Sequence, residues 1–386
     1  MRAGIVFWMA CAVLAWPAQP AAAAPPQGPP ALLARWDRDE HPDLRGVVVL
    51  HRGRRVAERY YNGAEADELH DVRSAGKSVT ALLVGIAIDR GAIGSVDDPV
   101  ARYWAAAADR PIGQVPLRDV LTMRSGLDAF DEDPDSPGHE DRMDAAADPQ
   151  AFVLGLPRVD PPGARYRYNS ATAYVAGVVV ANAARETMGA FAGRELFAPL
   201  GIADWRWDAD ASGMTKGQGN LRLTTRGLAA IGEMVRNGGR ANGRRVVGEA
   251  WIAQMLAPRV DIAAVDPSAE GYGYFWYRKE HRIGGAAVPV SFASGNGGNK
   301  IYVAPACDLV VAITSSAYGR GHGQRRSEAI LLAVLTAQVE SGGCRSGDAP
   351  DAPDAARDAG ARSRAGALGT KRTLATSRSA AERNRR

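Results

Sequence analysis

Apolar positions along this 386-residue chain follow strand-like patterns near its ends and helix-like patterns between them. GVVVLH (46–51) and RVAERYY (55–61) flank a turn at Gly53 and predict a β-hairpin. KIYVAP (300–305) and LVVAITSS (309–316) flank Ala306-Cys307-Asp308 and predict a second one. Between them SVTALLVGIAIDRG (78–91) is apolar almost all round, the pattern of a buried central helix with Gly91 at its C-cap. ATAYVAGVVVANAARE (171–186) continues a second helix that starts near Ser170. LRLTTRGLAAIGEMVRNGG (221–239) holds a third, which Thr224 or Thr225 can cap. EAILLAVLTAQVE (328–340) closes the pattern as an amphipathic helix, and a short helix is expected around Pro30–Trp36. Residues 95–127 mix helix and loop character. The acidic stretch DAFDEDPDSPGHEDRMD (128–144) has the Pro and Gly of an ordinary surface loop, and its spacing fits no calcium-binding loop. There are no internal repeats. The economical architecture is α+β: one antiparallel sheet built from the N- and C-terminal segments and flanked by helices. A helical subdomain is inserted at about residues 96–219, and a site forms in the cleft between the two regions.

Composition then narrows the class. With 46% hydrophobic and 23% charged residues the chain can bury a sizeable core. Arg2, the apolar run GIVFWMACAVLAW and the small-residue run AQPAAAA read as a signal peptide over 1–24, cleaved near Ala24. The apolar run is short for a spanning helix, so no stable membrane span is expected after cleavage. Bulky Trp8 and Met9 before Cys11 speak against lipid attachment there. The expected location is the bacterial periplasm or beyond. The domain would run over 25–344, followed by a disordered basic tail at 345–386 that is poor in large apolar residues. That tail carries ten Lys/Arg against five Asp/Glu, more than the whole net charge of +4, so the core is slightly acidic and nucleic acid is not an expected partner. Once Cys11 leaves with the signal, Cys307 and Cys344 remain, either as a disulfide in an oxidising compartment or as two unrelated thiols.

The candidate chemistry begins at Ser74-Ala75-Gly76-Lys77, where a long apolar helix starts. Three residues apart on a helix is one face, so the hydroxyl and the amine can meet. The serine sits among free backbone N–H groups at the positive end of the helix dipole. A lysine against apolar helix surface loses hydration, which favours its neutral form. Together these make an activated nucleophile. Alone, such a pair more often lies on a solvated helix face. A second candidate is Tyr166-Arg167-Tyr168-Asn169-Ser170, after Pro161-Pro162-Gly163 and before a helix; a phenol beside a lysine can relay a proton. A third is Ser294-Gly295-Asn296-Gly297-Gly298-Asn299, leading into a strand, where glycines allow close approach of a substrate and strand N–H groups can hold an oxyanion. The six histidines show no metal-ligand spacing, so neither metal nor cofactor is expected.

In this order the three motifs resemble the serine β-lactamase and penicillin-binding-protein superfamily. The likeness is nearer to its class C β-lactamase-like branch, with esterases and 6-aminohexanoate-dimer hydrolases. SVDDPVARYW, LRDVLTMRSGLD, PPGARYRYNSATAYVAG, GNLRLTTRGLAAIGEMVRNGGRANGRRVVGEAWI and GYGYFWY support it, covering about Asp43 to Glu340. The resemblance implies that Ser74 is the acylated nucleophile, Lys77 its proton acceptor and Tyr168 the general base or relay. It places Asn296, Gly297 and Gly298 at the family's third motif, with Ser170 also beside the substrate. The backbone N–H groups of Ser74 and Asn299 would form the oxyanion hole. Two departures matter. The tyrosine motif reads Tyr168-Asn169-Ser170 rather than Tyr-x-Asn, and Asn296 stands where the family carries a lysine or histidine. A neutral amide there favours an ester or amide without an obligatory carboxylate. The expected activity is an exported serine hydrolase acting on a small ester, amide or peptide-like molecule. The alternatives are a class C-type β-lactamase or D,D-peptidase, and a non-catalytic module that recognises cell-wall peptides.

Overall fold

The computed structural model describes residues 28–345; the expected signal peptide and the tail beyond Arg345 lie outside them. The N-terminal segment folds as Pro29–Leu33 followed by a 3₁₀ turn at Ala34–Arg38. Strands β1 (Leu44–His51) and β2 (Arg54–Tyr60) form the first hairpin. Its two turn residues, Arg52 and Gly53, both have positive φ, the twist that a tight hairpin needs.

Six further strands complete the sheet: β3 (Val260–Asp261), β4 (Gly271–Tyr272), β5 (Tyr277–Ile283), β6 (Ala286–Gly295), β7 (Asn299–Ala304) and β8 (Leu309–Ser315). The order is β2-β1-β8-β7-β6-β5-β4-β3, and every pairing is antiparallel. The last strand docks on the first, from Gly46 opposite Thr314 to His51 opposite Leu309. The two ends of the domain therefore join in one sheet, as their patterns predict, as its second and third strands. All seven residues of β8 are buried, because helices cover both faces there.

Three long helices flank the sheet, α1 (Ala75–Asp89), α3 (Thr225–Arg236) and α4 (Gly321–Glu340), and a fourth, α2 (Ser170–Ala184), packs on α1. Thr224 caps α3 by accepting from the Gly227 N–H. Helix α3 lies so close to the strands that a Cβ at Gly232 would sit 2.6 Å from Val310 and 2.7 Å from Ile301. Helix α1 is buried along thirteen of its fifteen residues, which accounts for its apolar pattern on every side. A Cβ at Gly85 would meet the Trp251 ring at 2.1 Å, and Trp251 Nε1 donates to the Ala81 carbonyl in the same place. Between α1 and α3 the chain carries α2, several short helices and strands at Trp205–Trp207 and Leu221–Leu223; the latter lies between Trp205–Trp207 and His70–Asp71 in a small three-stranded sheet. Cys307 and Cys344 join in a disulfide that ties the β7–β8 turn to the end of α4, resolving the open choice between a bridge and two thiols.

Candidate active site

The step into α1 sets the site. Arg73, just before the helix, takes a left-handed backbone with φ 53°, held by its N–H donating to Asp71 Oδ1 at 2.8 Å. Ser74 follows as the N-cap, yet its hydroxyl caps no backbone N–H. Its Oγ instead accepts from Lys77 Nζ at 2.9 Å.

Lys77 is 2% exposed. It also donates to Ser170 Oγ at 3.1 Å and to the Gln218 carbonyl at 2.8 Å. An ammonium has three donors, and all three are used. That set makes a buried charge tolerable at this position. The Tyr168 ring faces the same nitrogen, its centroid 5.1 Å away. Ser74 and Tyr168 both border an open cavity of about 650 Å³. The structure thus brings together Ser74, Lys77, Tyr168 and Ser170, as expected. Ser170 holds the lysine rather than facing a substrate, since it is fully buried. Asn169 is also buried, where it caps α2 by accepting from the Thr172 N–H at 2.7 Å.

The third motif needs more correction. At its entry, β6 crosses the start of α1 so closely that a Cβ on Gly295 would lie 2.0 Å from the Val72 carbonyl and 3.1 Å from the Ala75 nitrogen. Only glycine permits that approach. Gly295 and the exposed Asn296 therefore line the cavity beside Ser74. Asn299, expected to supply the oxyanion N–H, is fully buried opposite Gly295 and does not line the cavity. Its amide donates to the Asn296 and Ser315 carbonyls and accepts from the Ser315 N–H, so it buckles the β6–β7 turn to β8. Gly297 and Gly298, expected beside a substrate, turn away from the cleft. Side chains there would strike Tyr318 and the Gly323 carbonyl, and their φ of 87° and 92° makes the turn that brings Asn296 forward.

Sequence reasoning missed the acid side of the site. Asp131 and Glu140 belong to the stretch expected as a solvated loop. Yet Glu140 Oε2 accepts from Ser170 Oγ at 2.9 Å, and Asp131 Oδ2 accepts from the Ser170 N–H at 2.7 Å. Burial pushes the Asp131 carboxyl up to about 6, against the pull of the Lys77 charge. Alternating acids and turn residues look alike whether a loop faces solvent or folds over a helix start, so the sequence carried no signal for this. Among the described residues no cluster of His, Cys, Asp and Glu is placed to hold a metal, and no helix is long and apolar enough to cross a membrane.

Known proteins resemble this chain in sequence and in fold. The Beta-lactamase family profile matches residues 38–335. The 6-aminohexanoate-dimer hydrolase of Paenarthrobacter ureafaciens is 30% identical over 227 residues, which cover 55% of this chain and 56% of that relative. The match thus spans about half of the relative's length. A penicillin-binding protein homologue from Caulobacter crescentus superposes with TM-score 0.66 at 19% identity, over 80% of this chain and 96% of its own. A family VIII carboxylesterase does so with TM-score 0.62 at 17% identity, over 78% and 95%. These two likenesses speak to the fold. With the family profile spanning most of the chain over an intact Ser-x-x-Lys site, the protein belongs to the beta-lactamase family of serine hydrolases.

Proposed function

We propose that the protein hydrolyses a carboxylic ester or small amide through an acyl-enzyme on Ser74. The carrying observation is the 2.9 Å contact between Ser74 Oγ and Lys77 Nζ at the wall of an open cavity. Ser74 Oγ attacks the substrate carbonyl as its proton leaves along that contact to the lone pair of Lys77 Nζ in its neutral amine form, whose two N–H groups keep their bonds to Ser170 Oγ and the Gln218 carbonyl. Lys77 and Tyr168 act as one coupled acid–base unit. Tyr168 returns the proton to the departing alcohol or amine as the C–O or C–N bond breaks. Water then attacks the acyl-serine by the same route in reverse, and the free acid leaves. The oxyanion is held by two backbone donors, the N–H of Ser74 at the start of α1 and that of Asn296 on the β6–β7 turn. No other described group accepts from the Asn296 N–H, and its side chain is anchored by accepting from the Gly319 N–H at 2.7 Å. Ser170, Glu140 and Asp131 orient the lysine from behind. The signal pattern of residues 1–24 and the Cys307–Cys344 disulfide support a periplasmic or secreted protein.

The test is intact mass after exposure to a fluorophosphonate, for wild type and Ser74→Ala. A single adduct on wild type alone is expected, together with turnover of short nitrophenyl esters that Ser74→Ala lacks. An adduct or full turnover in Ser74→Ala would remove Ser74 as the nucleophile. A folded wild type with neither adduct nor turnover would favour the non-catalytic binding module.

A further inference from the structure

The peptide bond between Gly295 and Asn296 carries the Asn296 N–H at one end and the Gly295 carbonyl at the other. In a trans peptide these two groups point opposite ways in one plane, so whatever fixes the carbonyl also aims the N–H. The Gly295 carbonyl accepts from the Gly298 N–H across the turn at 3.2 Å and from the Gln324 side-chain amide at 2.8 Å. The shorter bond comes from another element, the first turn of α4. A donor on the carbonyl also polarises the peptide and strengthens its N–H.

The rest of Asn296 is held by other groups. Its Oδ1 accepts from the Gly319 N–H at 2.7 Å, and its carbonyl accepts from Asn299 Nδ2 at 2.9 Å. Neither bond sets the plane before it. That plane can rotate through ψ of residue 295 and φ of residue 296, and a glycine at 295 leaves the first of these soft. Gln324 supplies the missing restraint from a fixed post. Around it on α4, His322 Nε2 bonds Asp43 Oδ2 at 2.8 Å, and Arg326 pairs with Asp39 and Asp43 at 2.7 and 2.6 Å. Ser327, one turn on, donates to the Gly298 carbonyl at 2.7 Å. The Gln324 Oε1 atom is buried with no donor among the described residues. An apolar side chain would pack there without that cost, so the useful half of the amide is the nitrogen on Gly295.

We propose that Gln324 is a positioning residue for the oxyanion hole: by holding the Gly295 carbonyl it turns the Asn296 N–H toward the cleft beside Ser74. This rests on the hydrolase reading for its kinetic consequence. Bond cleavage stays with Ser74, Lys77 and Tyr168.

The experiment uses the full chain as wild type, Gln324→Met, Gln324→Glu and Ser327→Ala, each checked for folding by circular dichroism and thermal midpoint. Methionine keeps the length without a donor, and an ionised glutamate keeps the shape with acceptors alone. Nitrophenyl acetate is compared, by kcat/KM, with its thiono analogue, in which sulfur replaces the carbonyl oxygen. Sulfur is a weak acceptor, so donors aimed at an oxyanion help it little. Both Gln324 variants should lose about 10- to 100-fold on the oxygen ester and much less on the thiono ester, so the ratio falls. Ser327→Ala loosens the turn without touching the 295–296 peptide and should keep the wild-type ratio. Equal losses on the two esters in the Gln324 variants, an unchanged oxygen-ester rate, or the same fall in ratio for Ser327→Ala would overturn the proposal, since a merely structural contact moves both esters together. The amide nitrogen resonance of Asn296, read in protein with isotope-labelled asparagine and assigned by its loss in Asn296→Ser, gives a readout without turnover. It should move upfield or split in both Gln324 variants as the peptide loses its polarising donor. An unmoved resonance overturns the proposal whatever the rates. If wild type cleaves neither ester and takes no fluorophosphonate while the resonance moves, the hydrolase reading fails and Gln324 still sets the donor of a site that binds without cleaving.

Discussion

Asn299 provides the sharpest test of how the third motif is built. Replacing it with alanine deletes three hydrogen bonds in a fully buried place. Its amide nitrogen donates to Asn296 O at 2.9 Å and to Ser315 O at 3.0 Å, and its Oδ1 accepts from Ser315 N at 3.0 Å. Each such bond contributes about 1 kcal/mol net, and a buried N–H left without a partner costs a further 1–3 kcal/mol or so. The sum is about 4–6 kcal/mol. Unfolding entropy of about 2 cal/mol/K per residue gives a domain of roughly 320 residues about 0.7 kcal/mol/K, so the midpoint should fall by about 6–9 °C. The assay is thermal and urea denaturation, with ester turnover measured at 25 °C. Asn299→Asp should be worse, because it turns a carboxylate oxygen toward the two carbonyls that Asn299 now satisfies. A melting temperature within about a degree of wild type for Asn299→Ala would refute the claim that this side chain buckles the turn to β8. The backbone N–H at 299 survives either substitution, so a large stability loss with a smaller change in rate at 25 °C is the signature of a structural amide.

Three further outcomes follow from the same geometry. Lys77→Met should keep the fold by circular dichroism but lower kcat/KM about 10³-fold, because the Ser74 proton loses its acceptor; a loss under tenfold would exclude Lys77 from proton transfer. Cys307→Ser with Cys344→Ser opens a loop of 37 residues' separation and should cost about 2–4 kcal/mol in urea unfolding, with no loss meaning that the bridge does not constrain the chain. Asp131 titrates near 6 in the folded protein against an ordinary 3.8, so the native state holds a proton that the unfolded chain has lost. Its contribution to stability is full below about pH 3.8 and lost as pH rises through 6. Asp131→Asn should flatten that part of the pH–stability curve by about 2–3 kcal/mol between pH 4 and 7, and curves of identical slope would show that the carboxyl is not shifted.

The sequence by itself determined the parts whose signal is local. Hairpin turns, the all-round apolar α1, a threonine cap at 224 or 225 and the strand patterns at both ends specify an antiparallel sheet with helices against it. Ser74 and Lys77 were legible for the same reason, since three residues on a helix are neighbours in any fold. What the tertiary structure decided was every relation between distant segments. Gly295 lacks a Cβ that would strike the Val72 carbonyl, and this sets Asn296, rather than Asn299, beside the nucleophile. An acidic loop that reads as solvated folds over the start of α2 and places Asp131 and Glu140 behind the lysine. Antiparallel register sets Lys300 of β7 opposite Ser294 of β6, where its Nζ donates to the serine hydroxyl. Sequence distance says nothing of such pairings: they depend on which backbones can approach, and that is settled by packing across the sheet and the helix ends.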